Sequence, residues 1–179
     1  MAGHKCARSR ESDMRFSFRH LAATTTGLTF SLILLGVYTG AIGAGLACEA
    51  RWPLCDGWMG LFPATWPSFV EWFHRLVAMV TGFFILGTTY AAWRHTDSTR
   101  IRRASTLALA VLPVQVLLGA NTIFNFGATA QVLHHAAALT ILTSLVAATA
   151  WAFGNADTAA AETDADTTAE SGSTGSVRI

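Results

Sequence analysis

Residues 104–155 read ASTLALAVLPVQVLLGANTIFNFGATAQVLHHAAALTILTSLVAATAWAFGN, a run without one Asp, Glu, Lys or Arg. As a helix rising about 1.5 Å per residue, it is far too long for one crossing of a hydrocarbon layer of about 30 Å. Its natural break is the polar, glycine-containing patch Asn121, Asn125, Phe126 and Gly127, where a turn is expected. Splitting there leaves two helices, near 104–124 and 131–153, each long enough to span. Working outward, Leu21 to Ala47 and Leu76 to Trp93 are likewise free of acidic and basic residues. The pattern predicts an all-α integral-membrane protein, a four-helix bundle with transmembrane helices at about 21–46, 70–93, 104–124 and 131–153.

Composition points the same way. The chain has 179 residues, 52% hydrophobic and 13% charged, whereas a soluble domain carries about 25% charged residues. So few charges could not clothe a soluble enzyme of this size, and so apolar a chain is not intrinsically disordered as a whole. The net charge of +1 gives no reason to expect a nucleic-acid partner. Lys5, Arg8, Arg10, Arg15 and Arg19 precede helix 1, and Arg94, Arg100, Arg102 and Arg103 lie between helices 2 and 3, while the 47–69 loop holds only Arg51. Positive charge stays inside. Both termini are therefore expected in the cytoplasm and the 47–69 loop outside a multi-pass plasma-membrane protein. Trp52, Trp58, Trp66 and Trp72 cluster at the outer end, and Trp93 and Trp151 mark inner ends, as interfacial tryptophans do.

The chain start (1–20) is a basic segment with no small-residue cleavage site after a short apolar core, so helix 1 is expected to remain as an anchor. Residues 154–179 are rich in Ala, Thr, Ser and Gly with scattered acids, and read as a disordered, acidic cytoplasmic tail.

Titratable residues inside a membrane are costly, and each is a candidate for function. Glu71-Trp72-Phe73-His74-Arg75 opens helix 2, and the spacings of three and four put Glu71, His74 and Arg75 on one helical face. A plain interfacial Glu71–Arg75 pair, worth a few tenths of a kcal/mol (about 0.3) if exposed, is the bland alternative. His134 and His135 lie about one turn into helix 4 and diverge by about 100°, so one of them faces the bundle core. With both termini on one side, His74 and His134 lie at matching depth. Two inward imidazoles at one level on a four-helix scaffold suit the two axial positions of a haem iron. Zinc generally takes three or four ligands, and copper would have no Cys or Met cluster at this depth.

In the outer loop, Cys48 and Cys55 are separated by six residues. A structural disulfide is favoured there, because that side of the membrane is oxidising and the spacing lacks the C-x-x-C signature of dithiol exchange. A redox-active pair remains the alternative. Cys6 is expected to be a free cytoplasmic thiol. Gly36-x-x-x-Gly40 in helix 1 reads as close helix packing. Pro113 is expected to bend helix 3, and Gln115 and Asn121 to line a polar interior or bond between helices.

Taken in order, C-E-A-R-W-P-L-C-D-G (48–57), E-W-F-H-R (71–75), L-L-G-A-N-T (117–122) and L-H-H-A-A-A-L (133–139) resemble the amino-terminal half of the haem A synthase family over roughly 25–153. The resemblance implies that His74 and His134 are haem-iron ligands, with His134 matching the family position better than its neighbour His135; Arg75 and His135 are candidate supporting residues. It also implies that Glu71 is the acidic residue on which the chemistry depends, and that Cys48 and Cys55 are the family's extracytoplasmic pair. The implied reaction oxidises a methyl group of haem O to the formyl group of haem A for a terminal oxidase, with haem b as prosthetic group. A separate electron acceptor and a haem O synthase are the implied partners, besides the lipid bilayer. Members of the family usually fuse two such halves, and this chain shows no second E-x-x-H-R pattern, so an active form is expected to be a homo-oligomer. A bis-histidine haem b protein for electron transfer or haem delivery is the other reading, and a purely structural membrane protein the third.

Overall fold

The computed structural model describes residues 18–49, 51–125 and 127–155 in full. Cys6, the basic residues before Arg19 and the tail from 156 lie outside these described residues, and the expectations for them with it. Four helices occur in order: α1 (Gly3–Ala41), α2 (Trp66–His95), α3 (Thr99–Phe124) and α4 (Ala128–Ser173). Their membrane-length parts are Phe18–Ala41, Trp66–His95, Thr99–Phe124 and Ala128–Asn155. Among the described residues there is no strand, only an isolated bridge between Trp58 and Phe62.

Local chemistry sets the helix ends. α1 stops at Ala41, short of the apolar run's end, because Gly43 adopts a left-handed φ of 71° that glycine takes without a Cβ clash. A 3-10 turn, Ala44–Leu46, then starts the long loop. α2 begins earlier than charge patterning suggests, because Thr65 caps it. Its hydroxyl accepts the Ser68 backbone N–H at 3.3 Å, and Pro67 stands in the first turn, where no intrahelical N–H is needed. α3 runs through Pro113 as one helix and closes where Asn125 bonds back to Asn121, its backbone N–H donating to the carbonyl and its side-chain Nδ2 to Oδ1.

Short connections at 96–98 and 125–127 make neighbours antiparallel. α1 packs on α2 and α4, and α3 packs on α2 and α4, while among the described residues the backbones of the diagonal pairs stay apart. The result is a square ring of four helices. At the end away from the 42–65 loop, the ring is closed by Phe18, Ala22, Ala92, Ile101 and Ala148, and a second layer of Ile85, Ala108, Ile141 and Leu145 sits above it. Threonines stitch this half together: Thr25 and Thr88 hydroxyls meet at 2.7 Å, Thr26 and Thr149 at 3.0 Å, and Thr89 donates to the Ser105 carbonyl at 2.9 Å. Only 11% to 33% of each span's most apolar stretch is buried within the chain, so the outward faces are built for lipid. The chain is a multi-pass membrane protein.

Candidate functional site

Toward the loop end the ring opens around a cavity of about 700 Å³. All four helices line it, and Trp52, Pro53, Leu54 and Leu61 of the loop complete the wall. Glu71, His74 and Arg75 come from one face of α2, and His134 and His135 from α4. Because α2 and α4 lie across the diagonal of the ring with their backbones apart, His74 and His134 face one cavity from opposite sides.

Each imidazole is seated against a glycine. A Cβ at Gly36 of α1 would stand 3.0 Å from His74 Cε1, and one at Gly119 of α3 would stand 3.1 Å from His134 Cε1. Both distances are tighter than ordinary van der Waals contact, so glycine makes the room for each ring. The Nδ1 atoms of both histidines are buried and have no hydrogen-bond partner among the described residues. His134 Nε2 meets the Gln115 amide at 3.2 Å, whereas His135 is tied through Nδ1 to its own helix, at the Gln131 carbonyl, 2.7 Å away. The two neighbouring rings stand edge to face at 88°.

Glu71 and Arg75 form a buried pair, not an exposed one. Arg75 Nε donates to Glu71 Oε1 at 2.9 Å, with the side chains 14% and 8% exposed. Nη1 of the same guanidinium reaches the carbonyls of Arg51 and Leu54 at 2.9 and 2.8 Å. Cys48 and Cys55 are joined in a disulfide, and both are buried, at 1% and 0% exposure. They do not line the cavity; they brace the loop that does. Ser68 Oγ, at the start of α2, lies 3.1 Å from the Ala47 carbonyl and 3.0 Å from Asp56 Oδ2, which ties both ends of that loop to the helix carrying Glu71.

From the sequence alone Gly36 reads as packing, and Gly119 carries no assignment. A signal was present: Leu34-Leu35-Gly36-Val37-Tyr38-Thr39 in α1 repeats as Leu117-Leu118-Gly119-Ala120-Asn121-Thr122 in α3. Both threonines line the cavity, and each hydroxyl bonds back to a carbonyl of its own helix at 2.7 Å. The repeat places one glycine behind each histidine, so α1–α2 and α3–α4 are two similar halves of one site.

Fold and site together define a class: a membrane four-helix bundle with two opposed imidazoles and a carboxylate in a mainly apolar cavity. Residues 8–146 match the COX15-CtaA family of cytochrome oxidase assembly proteins, and the chain belongs to that family. It is 42% identical over 133 residues to a protoheme IX farnesyltransferase of Halobacterium salinarum, covering 73% of this chain and 28% of that protein. With a heme A synthase of Bacillus licheniformis it shares 29% identity over 143 residues, covering 78% of this chain and 47% of the relative. A heme A synthase of Symbiobacterium thermophilum is 35% identical over 92 residues, covering 51% and 29%. The chain thus spans between about a quarter and a half of the length of these relatives. No solved structure matches it.

Proposed function

We propose that this chain is a haem A synthase-type oxidoreductase, which binds haem between His74 and His134 and converts the methyl group of haem O to the formyl group of haem A. The observation that carries the reading is the pair of glycine-seated imidazoles facing one cavity across the diagonal of the ring. The residues fit a haem: the two half-buried rings come from opposite sides, each is packed closely against a glycine, and the remaining wall is mostly apolar. His74 and His134 would hold the iron, and a bound haem supplies redox chemistry that no side chain here provides.

Glu71 is the candidate catalytic residue. Its carboxylate lines the same cavity one turn from His74 and is oriented by Arg75. From there it accepts a proton from the substrate methyl group as that group is oxidised, or stabilises positive charge developing there. Water supplies the formyl oxygen, and the four electrons released (–CH3 + H2O → –CHO + 4 H+ + 4 e−) pass to a separate acceptor. His135 is held by Gln131 and supports the wall rather than the iron. The loop end faces the extracytoplasmic side, as the distribution of basic residues indicates.

Two features of the relatives shape the assembly. The Bacillus licheniformis heme A synthase is about twice as long as the matched segment, which supports pairing of two copies here so that prosthetic haem b and substrate haem O occupy separate sites. The match to protoheme IX farnesyltransferases supports a working association with an enzyme that farnesylates protohaem, the step that would supply the substrate.

The deciding experiment is haem extraction with mass analysis from cells that express this chain beside a haem O supply. Haem A or its hydroxylated intermediate, absent from a control without the chain, is the expected result. Only haem B and unchanged haem O, with the protein verified in the membrane, would replace the synthase reading with that of a haem b carrier.

A further inference from the structure

At the loop end part of the cavity wall is not a helix but Trp52, Pro53 and Leu54 of the loop, and the Arg75 side chain bonds to the backbone of the 51–54 segment. Arg75 Nη1 donates to the carbonyl oxygens of Arg51 and Leu54 at 2.9 and 2.8 Å, with that of Pro53 at 3.3 Å. Nε of the same group binds Glu71 Oε1 at 2.9 Å. A guanidinium is a rigid plane with its donors in a fixed fork. If the segment swings away and Nη1 loses its carbonyls, the plane is free to rotate and Nε no longer aims at Glu71. The disulfide between Cys48 and Cys55 spans this segment and limits how far it can move. Trp52, Pro53 and Leu54 line the same cavity as Glu71, so the wall and the carboxylate address one space.

We propose that Arg75 is a positioning residue that makes the orientation of Glu71 conditional on closure of the 51–54 segment over the cavity. The link involves only residues of this chain and goes beyond the synthase reading without resting on it. Such coupling is reciprocal: loosening the segment disturbs Glu71, and altering Glu71 loosens the segment.

Infrared spectroscopy of the haem-free protein in lipid tests the first direction, with the Glu71 carboxyl band assigned by its loss in Glu71→Gln. Replacing Cys48 and Cys55 together by serine should shift that band in the Arg75 protein. In an Arg75→Lys background, where one amine cannot serve both partners, the band should already be displaced and should not respond to the cysteine change. A band that ignores the cysteines, or that moves equally in both backgrounds, overturns the proposal. Hydrogen exchange tests the reverse direction without touching Arg75. The Arg51 and Cys55 amides are bonded within the loop, to the carbonyls of Cys48 and Gly60. In Glu71→Gln they should exchange severalfold faster while the α3 and α4 amides are unchanged. Loop exchange at the native rate in that variant would likewise overturn it.

Discussion

The two ends of the helix ring use small residues for opposite purposes. In the half away from the loop, Ala22, Ala92, Ala108 and Ala148 are fully buried and bring the helix backbones together, and threonine hydroxyls there bond to one another. In the loop half, Gly36 and Gly119 leave room beside the backbone, and the His74 and His134 imidazoles fill it. The buried polar atoms also differ. Thr25 and Thr88 satisfy each other, but the Nδ1 atoms of His74 and His134 and the Oε1 atom of Gln115 have no partner among the described residues. Buried polar groups are nearly always paired when their purpose is stability. Orphaned buried atoms are not confined to the loop half, since Arg102 Nε at the start of α3 is another, but those of His74, Gln115 and His134 gather around one cavity, as in a binding site.

The strongest test of that division removes a histidine. His74→Ala or His134→Ala should abolish stable low-spin haem, read from the absorption spectrum of purified protein, yet leave the helical circular dichroism intact. Retained haem in either variant would remove the pairing of these two residues, and His135→Ala should then be the variant that loses it. Glu71→Gln separates binding from chemistry. It keeps the cavity's shape and should retain haem while product formation falls by about 100- to 10,000-fold, the range for losing a positioned proton acceptor. Unchanged haem A yield would end the catalytic assignment.

The glycine seats sharpen the comparison on a smaller scale. In a plain helix, glycine to alanine is favourable by about 0.8–1 kcal/mol, so any loss must come from what the new methyl meets. Gly36→Ala and Gly119→Ala would push a Cβ to 3.0 and 3.1 Å from the rings, and each should weaken haem binding by roughly tenfold, about 1.4 kcal/mol. Gly27→Ala is the control, because nothing lies within 4 Å of its Cβ position. It should leave the haem titration unchanged. Equal effects at all three positions would mean that the glycines act through helix propensity and not as seats.

Much of the architecture is legible in the sequence, because charge-free runs and their one polar break follow directly from the cost of burying charge in lipid. The helix count follows from 104–155 and the two shorter runs alone. The end of α1 is less visible, since residues 42–47 remain apolar and only Gly43 marks the turn. In the site, Glu71, His74, His134 and Arg75 stand out as costly residues at helical spacing, and the fold brings them to one cavity. What cannot be read is what meets them. Arg75's contacts on the loop are backbone carbonyls, which carry no residue-type signature. A glycine's role depends on which ring arrives from another helix. The repeated Leu-Leu-Gly-x-x-Thr was open to view, but its meaning required knowing that α1 backs α2 while α3 backs α4.

The smallest expected effect lies in the closed half and tests whether the two halves are independent. Thr25 donates its one hydroxyl proton to the Leu21 carbonyl at 2.8 Å, so in the 2.7 Å contact between the two threonines Thr88 must be the donor. Thr88→Val keeps the shape and removes that donor, and it leaves Thr25 still bonded to its own helix. No buried hydroxyl is stranded. The cost should be close to the average for an interhelical hydrogen bond in a membrane, about 0.6 kcal/mol, measured by unfolding in mixed detergent. Haem affinity and spectrum should not move, because the Thr25–Thr88 contact lies beyond the Ile85 layer from the cavity. If this substitution shifts the haem spectrum, the threonine contacts also set the spacing of α1 and α2 at Gly36 and His74, and the closed half is part of the site.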